Sequence, residues 1–322
     1  MKIFGAKFPI SRSLINMIVR QISRSFINTT IDRQISRSLI NTTIDRQFSR
    51  SLINTTKDRS FSSLVTSSTS TTNKVLTISL NDPLRLNALT EKMGDELNHH
   101  FSQIDPKKTG AVVLTGNGKA FSAGGDLDFL KARSIDTPSN NMKIMVQFYK
   151  RFLIPLRTCP VPVIAAVHGS AIGAGACLAT ATDYRIVAKD AKIGFTFANL
   201  GIHAGMGATH YLSNRIGSNW ATRLLLTGEV VTGSDLESMK WGFSQDTENV
   251  LPFAILLAEK ISAAAPEAVR GMVQTIRRKE DVGLDIALDR EAAEQASCYA
   301  GIDFKTGLQA ILTKTRPVFE QY

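Results

Sequence analysis

Two short segments of small residues constrain this chain more than any other feature: Ala120-Phe121-Ser122-Ala123-Gly124-Gly125-Asp126 and Gly169-Ser170-Ala171-Ile172-Gly173-Ala174-Gly175-Ala176-Cys177. Each follows an apolar run, Val112-Val113-Leu114 or Val163-Ile164-Ala165-Ala166-Val167, that reads as a buried strand. Each therefore presents backbone N–H groups at a strand end or a helix start, where the first donors lack intrahelical partners and carry partial positive charge. Two such turns brought together can hold one oxyanion.

Strands are expected at about 74–80, 111–115, 162–167 and 184–188, with helices at about 90–103 and 173–181. Their alternation points to an α/β domain. From about Ser218 the pattern turns helical. Ser234-Asp235-Leu236-Glu237 reads as a capping box and Gly242 as the end of that helix. Apolar periodicity continues over 251–264, 267–279 and 284–299, before a closing helix near 305–315. Other glycine motifs fail. A phosphate-binding P-loop needs Ser or Thr after its lysine, but Ala120 follows Gly118-Lys119 and position 113 is valine. A dinucleotide fingerprint would need glycine where Gly173-Ala174-Gly175 reaches Leu178.

Further motifs follow in order: Asn81-Asp82-Pro83 with Leu86-Asn87-Ala88-Leu89, Pro162 through Gly169, Thr182-Asp183-Tyr184-Arg185-Ile186, Leu200-Gly201 with Gly205-Met206-Gly207, and Leu226-Thr227-Gly228-Glu229. Asp303-Phe304-Lys305-Thr306-Gly307 and Lys314-Thr315-Arg316-Pro317 close the series. From about Lys74 to Phe319 the chain thus resembles the enoyl-CoA hydratase/isomerase (crotonase) superfamily. The resemblance implies a crotonase-like spiral of ββα turns over 74–250 and a helical C-terminal region over 251–322 that mediates trimerisation. It also implies an acyl-CoA substrate, with coenzyme A entering as part of the substrate rather than as a cofactor, and no metal.

The same resemblance assigns the oxyanion hole to the N–H groups of Ala123 and Ala174. Ala88, Ser122, Gly124, Gly125, Gly173 and Gly175 would surround the bound thioester, Asp126 would order the turn beside the hole, and Lys305 could approach the CoA phosphates. His168 reads as structural. The departure from the pattern lies in the acids. Hydratases of this family carry two glutamates that orient and deprotonate water; here Cys177 and Phe197 stand at those positions. The nearby acids Asp183 and Glu229 belong to a strand start and a turn. An imidazole can act as acid or base near neutral pH, which makes His203, and behind it His210, the candidates to replace them. Cys177 has no evident basic partner to make it a nucleophile.

The net charge of +10 suggests a polyanion partner until it is divided along the chain. Residues 1–61 hold eleven Lys/Arg against three Asp, a net of +8; the rest holds 27 basic against 25 acidic residues. That near-balance counts against nucleic acid as a partner. The basic arm repeats a thirteen-residue unit, at 20–32, 33–45 and 46–58, too short and polar to stack as a solenoid. Rich in Arg and Ser and poor in acids, it reads as a mitochondrial transit peptide cleaved after Phe61, which directs the protein to the matrix. Residues 62–73, mostly Ser and Thr, are expected to form a flexible lead-in. No stretch is apolar enough for a membrane span. The cysteines, Cys159, Cys177 and Cys298, form no disulfide or zinc pattern.

Two functional classes follow. One is an enzyme that binds an acyl-CoA thioester and stabilises its enolate, with hydration, isomerisation, decarboxylation or hydrolysis as the outcome. The other is a non-catalytic protein of the same fold that binds acyl-CoA or RNA. A homotrimer or hexamer is expected in either case.

Overall fold

The computed structural model describes residues 63–70 and 74–320. The chain divides into two units, Met1–Ser62 and Ser63–Tyr322. The first, with the repeats and the expected cleavage point after Phe61, lies outside the described residues.

The strands are β1 (Val65–Thr69), β2 (Val75–Leu80), β3 (Ala111–Gly116), β4 (Val163–Val167), β5 (Ser170–Ile172), β6 (Tyr184–Ala188), β7 (Lys192–Gly194), β8 (Val230–Thr232) and β9 (Phe243–Gln245). The helices are α1 (Glu91–Ser102), α2 (Leu127–Arg133), α3 (Pro138–Thr158), α4 (Ala174–Thr180), α5 (Ala208–Ile216), α6 (Ser218–Thr227), α7 (Gly233–Ser238), α8 (Val250–Ser262), α9 (Pro266–Glu280), α10 (Leu284–Tyr299) and α11 (Ile302–Thr313). One sheet runs β1-β2-β3-β4-β6-β9 and a second β5-β7-β8. In the larger sheet only the β1–β2 pair is antiparallel. β3 and β4 are buried along their whole length, which is why they read as unbroken apolar runs rather than alternating ones.

Helices cover this sheet with apolar stripes. Thr90 caps α1 by accepting from the Met93 N–H, and Met93, Leu97 and Phe101 recur at helical spacing on its buried face. α8 packs across β3, β4 and β6 through Ala254 and Ala258. α3 opens on a Thr137 cap with Pro138 in its first turn, and packs against both α1 and α10. α9 is tied to the sheet by Arg277, which is 2% exposed. Its guanidinium donates to both Asp183 carboxylate oxygens and to the carbonyls of Cys159 and Val161, while Asp183 Oδ2 also accepts from the Val163 N–H at 2.7 Å.

Three expectations need correction. The lead-in at 62–73 contains β1, so the folded part starts before residue 74. β-branched Thr suits a strand at a sheet edge, Val65 is fully buried opposite Leu80, and Glu96 Oε2 accepts from the Leu64 and Val65 N–H groups at 2.6 and 3.0 Å. The capping box belongs to Thr232 and Asp235, two residues before the expected Ser234, and the helix ends at Ser238 rather than at Gly242. The region read as helical from Ser218 also contains β8 and β9, each three residues long and so too short to display alternation. The other expected elements lie within a few residues of their observed bounds, while α2, α3, α5, β5 and β7 have no counterpart among the expectations.

Candidate active site

The two small-residue turns meet. Phe121 N–H donates to the His168 carbonyl at 3.0 Å, Ser122 N–H to Ser170 at 3.1 Å, and Ile172 N–H back to Ser122 at 3.0 Å. Two glycines make this approach possible. Gly124 has φ +93°, and a Cβ on it would lie 2.5 Å from the Ile172 carbonyl oxygen. At Gly175 a Cβ would lie 2.6 Å from the Ser122 carbonyl oxygen, so α4 could not start so close to the first turn.

Hydrogen bonding decides which donors are free. The Ala123 N–H, expected to serve a substrate, is committed to the Leu86 carbonyl at 2.8 Å. The Gly124 N–H donates to Ser122 Oγ at 3.2 Å, and Asp126 N–H to the Leu89 carbonyl at 3.1 Å. Among the described residues this leaves the Gly125 N–H without a partner, and it corrects the first donor from Ala123 to Gly125. Ala174 is the first residue of α4, where the backbone N–H has no intrahelical acceptor, and none is present from elsewhere. Both free donors belong to residues lining one cavity of about 660 Å³.

Of the expected site residues, Ala88, Ala123, Gly124, Gly125, Asp126, Gly173, Ala174 and Phe197 line this cavity. Ser122, Gly175, Cys177, His203 and Lys305 do not. Ser122 is fully buried and donates to the Asn87 carbonyl at 2.7 Å, so its role is to shape the turn. Cys177 sits behind the wall, and burial pushes its thiol well above the usual range, which makes it inert. His203 keeps Nδ1 on the adjacent Ala204 carbonyl at 2.6 Å, and His210 Nε2 lies 2.6 Å from the Glu280 carbonyl; neither ring reaches the cavity wall. Lys305 is exposed on α11. His168, read as structural, has Nε2 3.1 Å from the Gly118 carbonyl.

The carboxylates that line the cavity, among the described residues, are Asp126 and Asp128. Asp126 caps α2 by accepting from the Asp128 and Phe129 N–H groups, both at 3.1 Å, and pairs with Arg85 at 3.0 Å. Asp128 is 82% exposed beside Lys131. Glu291, which the sequence reading did not single out, is buried on α10. Its oxygens accept from the Gly207 N–H, the Thr209 N–H and the Thr209 hydroxyl at 2.7, 2.8 and 2.6 Å, anchoring the start of α5. Burial raises its carboxyl pKa against those bonds.

Three further residues went unnoticed in the sequence. Tyr149 on α3 and Gln295 and Tyr299 on α10 line the cavity and are bonded to one another. Glu291, Gln295 and Tyr299 recur every four residues, placing three polar groups on the buried face of α10. The remaining wall is largely apolar, with Met145, Phe148, Phe129, Ile202 and Met206.

A mostly parallel sheet, two stitched glycine turns opening on one cavity and a run of C-terminal helices define a crotonase-like fold with a candidate thioester site. The chain belongs to the enoyl-CoA hydratase/isomerase family, whose model matches residues 70–322. It is 33% identical over 253 residues to a 1,2-epoxyphenylacetyl-CoA isomerase of Escherichia coli, covering 76% of this chain and 94% of the relative. It is 30% identical over 239 residues to a probable enoyl-CoA hydratase of Bacillus subtilis, covering 73% and 91%. The crystal structure of an enoyl-CoA hydratase/isomerase from Pseudoalteromonas atlantica superposes with a TM-score of 0.69 at 26% identity, covering 80% of this chain and all of that one.

Proposed function

We propose that this protein binds an acyl-CoA thioester in the cavity, with the thioester oxygen on the Gly125 and Ala174 N–H groups, and stabilises the enolate that forms there. One observation carries the reading: two unpartnered backbone donors, on turns hydrogen-bonded to each other, belong to the wall of one largely apolar cavity. Fixed donors in a water-poor site gain strength as negative charge develops on the oxygen they hold. Relatives named as enoyl-CoA hydratases and isomerases support the substrate class.

Ala174→Pro tests the hole. Proline is tolerated at the first position of a helix, so the substitution removes one donor while α4 stays formed. Turnover of any thioester the enzyme converts is expected to fall by about 10² to 10³-fold with an unchanged circular dichroism spectrum. Undiminished turnover would mean that the carbonyl binds elsewhere. In a complex, the thioester oxygen should lie within about 2.7 to 3.2 Å of both nitrogens.

We also propose that residues 1–61 direct the chain to the mitochondrial matrix and are removed there, and that the mature protein assembles as a homotrimer or a hexamer. The Arg- and Ser-rich composition supports the first. Exposed Met272, Ile276, Val282 and Ile286 on and between the C-terminal helices support the second. Protein isolated from mitochondria is expected to begin at Ser62 and to scatter light as three or six copies; an intact Met1 or a monomer would refute the respective part.

A further inference from the structure

One wall of the cavity carries two phenols, Tyr149 and Tyr299, with the amide of Gln295 between them. Gln295 Oε1 accepts from the Tyr149 hydroxyl at 2.8 Å and from the Tyr299 hydroxyl at 3.1 Å, and Gln295 Nε2 donates to the His203 carbonyl at 2.6 Å. These bonds fix the amide and, through it, the Tyr149 oxygen. That oxygen lies against Gly205, itself a cavity residue, so closely that a methyl group there would collide with it. Burial, with smaller contributions from Tyr299, Glu291 and Cys177, holds the Tyr149 phenol well above its usual range. At physiological pH it is neutral, able to give a proton to a strong base and unable to take one from a carbon acid.

The remaining acids do not supply a base. Asp126 is occupied by the α2 cap and by Arg85, and Asp128 stands largely in solvent beside Lys131. Such a site can protonate an enolate, but among the described residues it has no group placed to create one by removing an α-proton. The enolate must then arise from a bond cleavage that leaves its electron pair on the α-carbon.

We propose that Tyr149 is the proton donor in decarboxylation of a 2-carboxyacyl thioester of the malonyl type, an inference that rests on the thioester reading above. The bond between the α-carbon and the carboxylate breaks and CO₂ leaves. Its electron pair delocalises onto the thioester oxygen held by Gly125 and Ala174. The Tyr149 hydroxyl proton passes to the α-carbon, and the phenolate regains a proton from solvent, so substrate plus one proton yields the decarboxylated acyl thioester and CO₂. The hydroxyl hydrogen rotates about its C–O bond, and the enolate carbon is a far stronger base than the amide oxygen that holds it at rest. Gln295 is a positioning residue that sets from which side the proton arrives.

The experiment incubates the protein with malonyl-CoA and with methylmalonyl-CoA in D₂O, reads products by mass spectrometry and NMR, and measures binding of both esters by calorimetry. The expected products are deuterated acetyl-CoA and propionyl-CoA labelled in a single configuration at the α-carbon. Tyr149→Phe is expected to bind both esters like the parent, to turn over at least about 10²-fold more slowly, and to give racemic label in the propionyl-CoA formed from methylmalonyl-CoA, because solvent then protonates the enolate. Should that variant not fold, Gln295→Leu carries the test, since it unties the hydroxyl but keeps the ring, and loss of configurational purity is expected. Bound malonyl-CoA that is never decarboxylated, or a variant with the parent's rate and configuration, would overturn the proposal while leaving thioester binding intact. Failure of both esters to bind would instead remove the thioester reading itself.

Discussion

Crotonyl-CoA is expected to bind this protein and to be hydrated at least about 10²-fold more slowly than by a relative that carries two glutamates at its site. Hydration needs a water oriented and deprotonated near the β-carbon and a proton delivered to the α-carbon. Each positioned acid or base contributes about 10² to 10⁴-fold. The two carboxylates of the cavity wall are paired or exposed, Cys177 lies behind the wall, and the Phe197 side chain takes up cavity lining that water would otherwise wet. The Phe197→Glu protein, which gains a carboxylate on the cavity wall, is expected to hydrate crotonyl-CoA faster than the parent, followed by loss of the conjugated double bond in the ultraviolet. Rapid hydration by the unmodified protein would reject this reading and point to Asp126 as the base.

Arg277→Ala is expected to lower the unfolding free energy by about 3 to 5 kcal/mol. The guanidinium is buried on α9 between Asp183 and the carbonyls of Cys159 and Val161, so its removal strips several acceptors at once. Asp183 keeps the Val163 N–H, but its charge loses the cation that offsets burial. Lysine does not restore the arrangement, because a single ammonium cannot reproduce the two-pronged contact with the carboxylate. Urea unfolding of both variants measures the effect. A loss within about 1 kcal/mol, the range of exposed pairs, would show that this network adds little.

Much of the core was legible because its signals are local. β3 and β4 announce themselves as unbroken apolar runs, and the meeting of the turns by their small residues and glycines. β1 was hidden by its composition, since Ser and Thr read as linker until Val65 finds Leu80 in the fold. The donor pair was half legible. Small residues mark where a chain can approach a ligand, but only the folded chain reveals that the Leu86 carbonyl takes the Ala123 N–H and leaves that of Gly125 free. The phenolic wall left a fainter trace. Glu291 and Gln295 fall in phase with Leu288, Ala292 and Ala296, all buried on α10, and polar residues at apolar positions of a helix signal a lined cavity or a buried network. Tyr149, which donates to Gln295, is too far along the chain for any periodicity to expose it.

The grip proposed for the thioester oxygen rests on main-chain atoms, in turns held by main-chain bonds and by the clearance at Gly124 and Gly175. Side chains on the facing wall can therefore drift without loosening it. A lineage built on this scaffold can lose or replace its proton-handling groups one at a time, retaining the ligand throughout, so that changes of reaction come by small steps and a dormant member stays one or two substitutions from renewed activity.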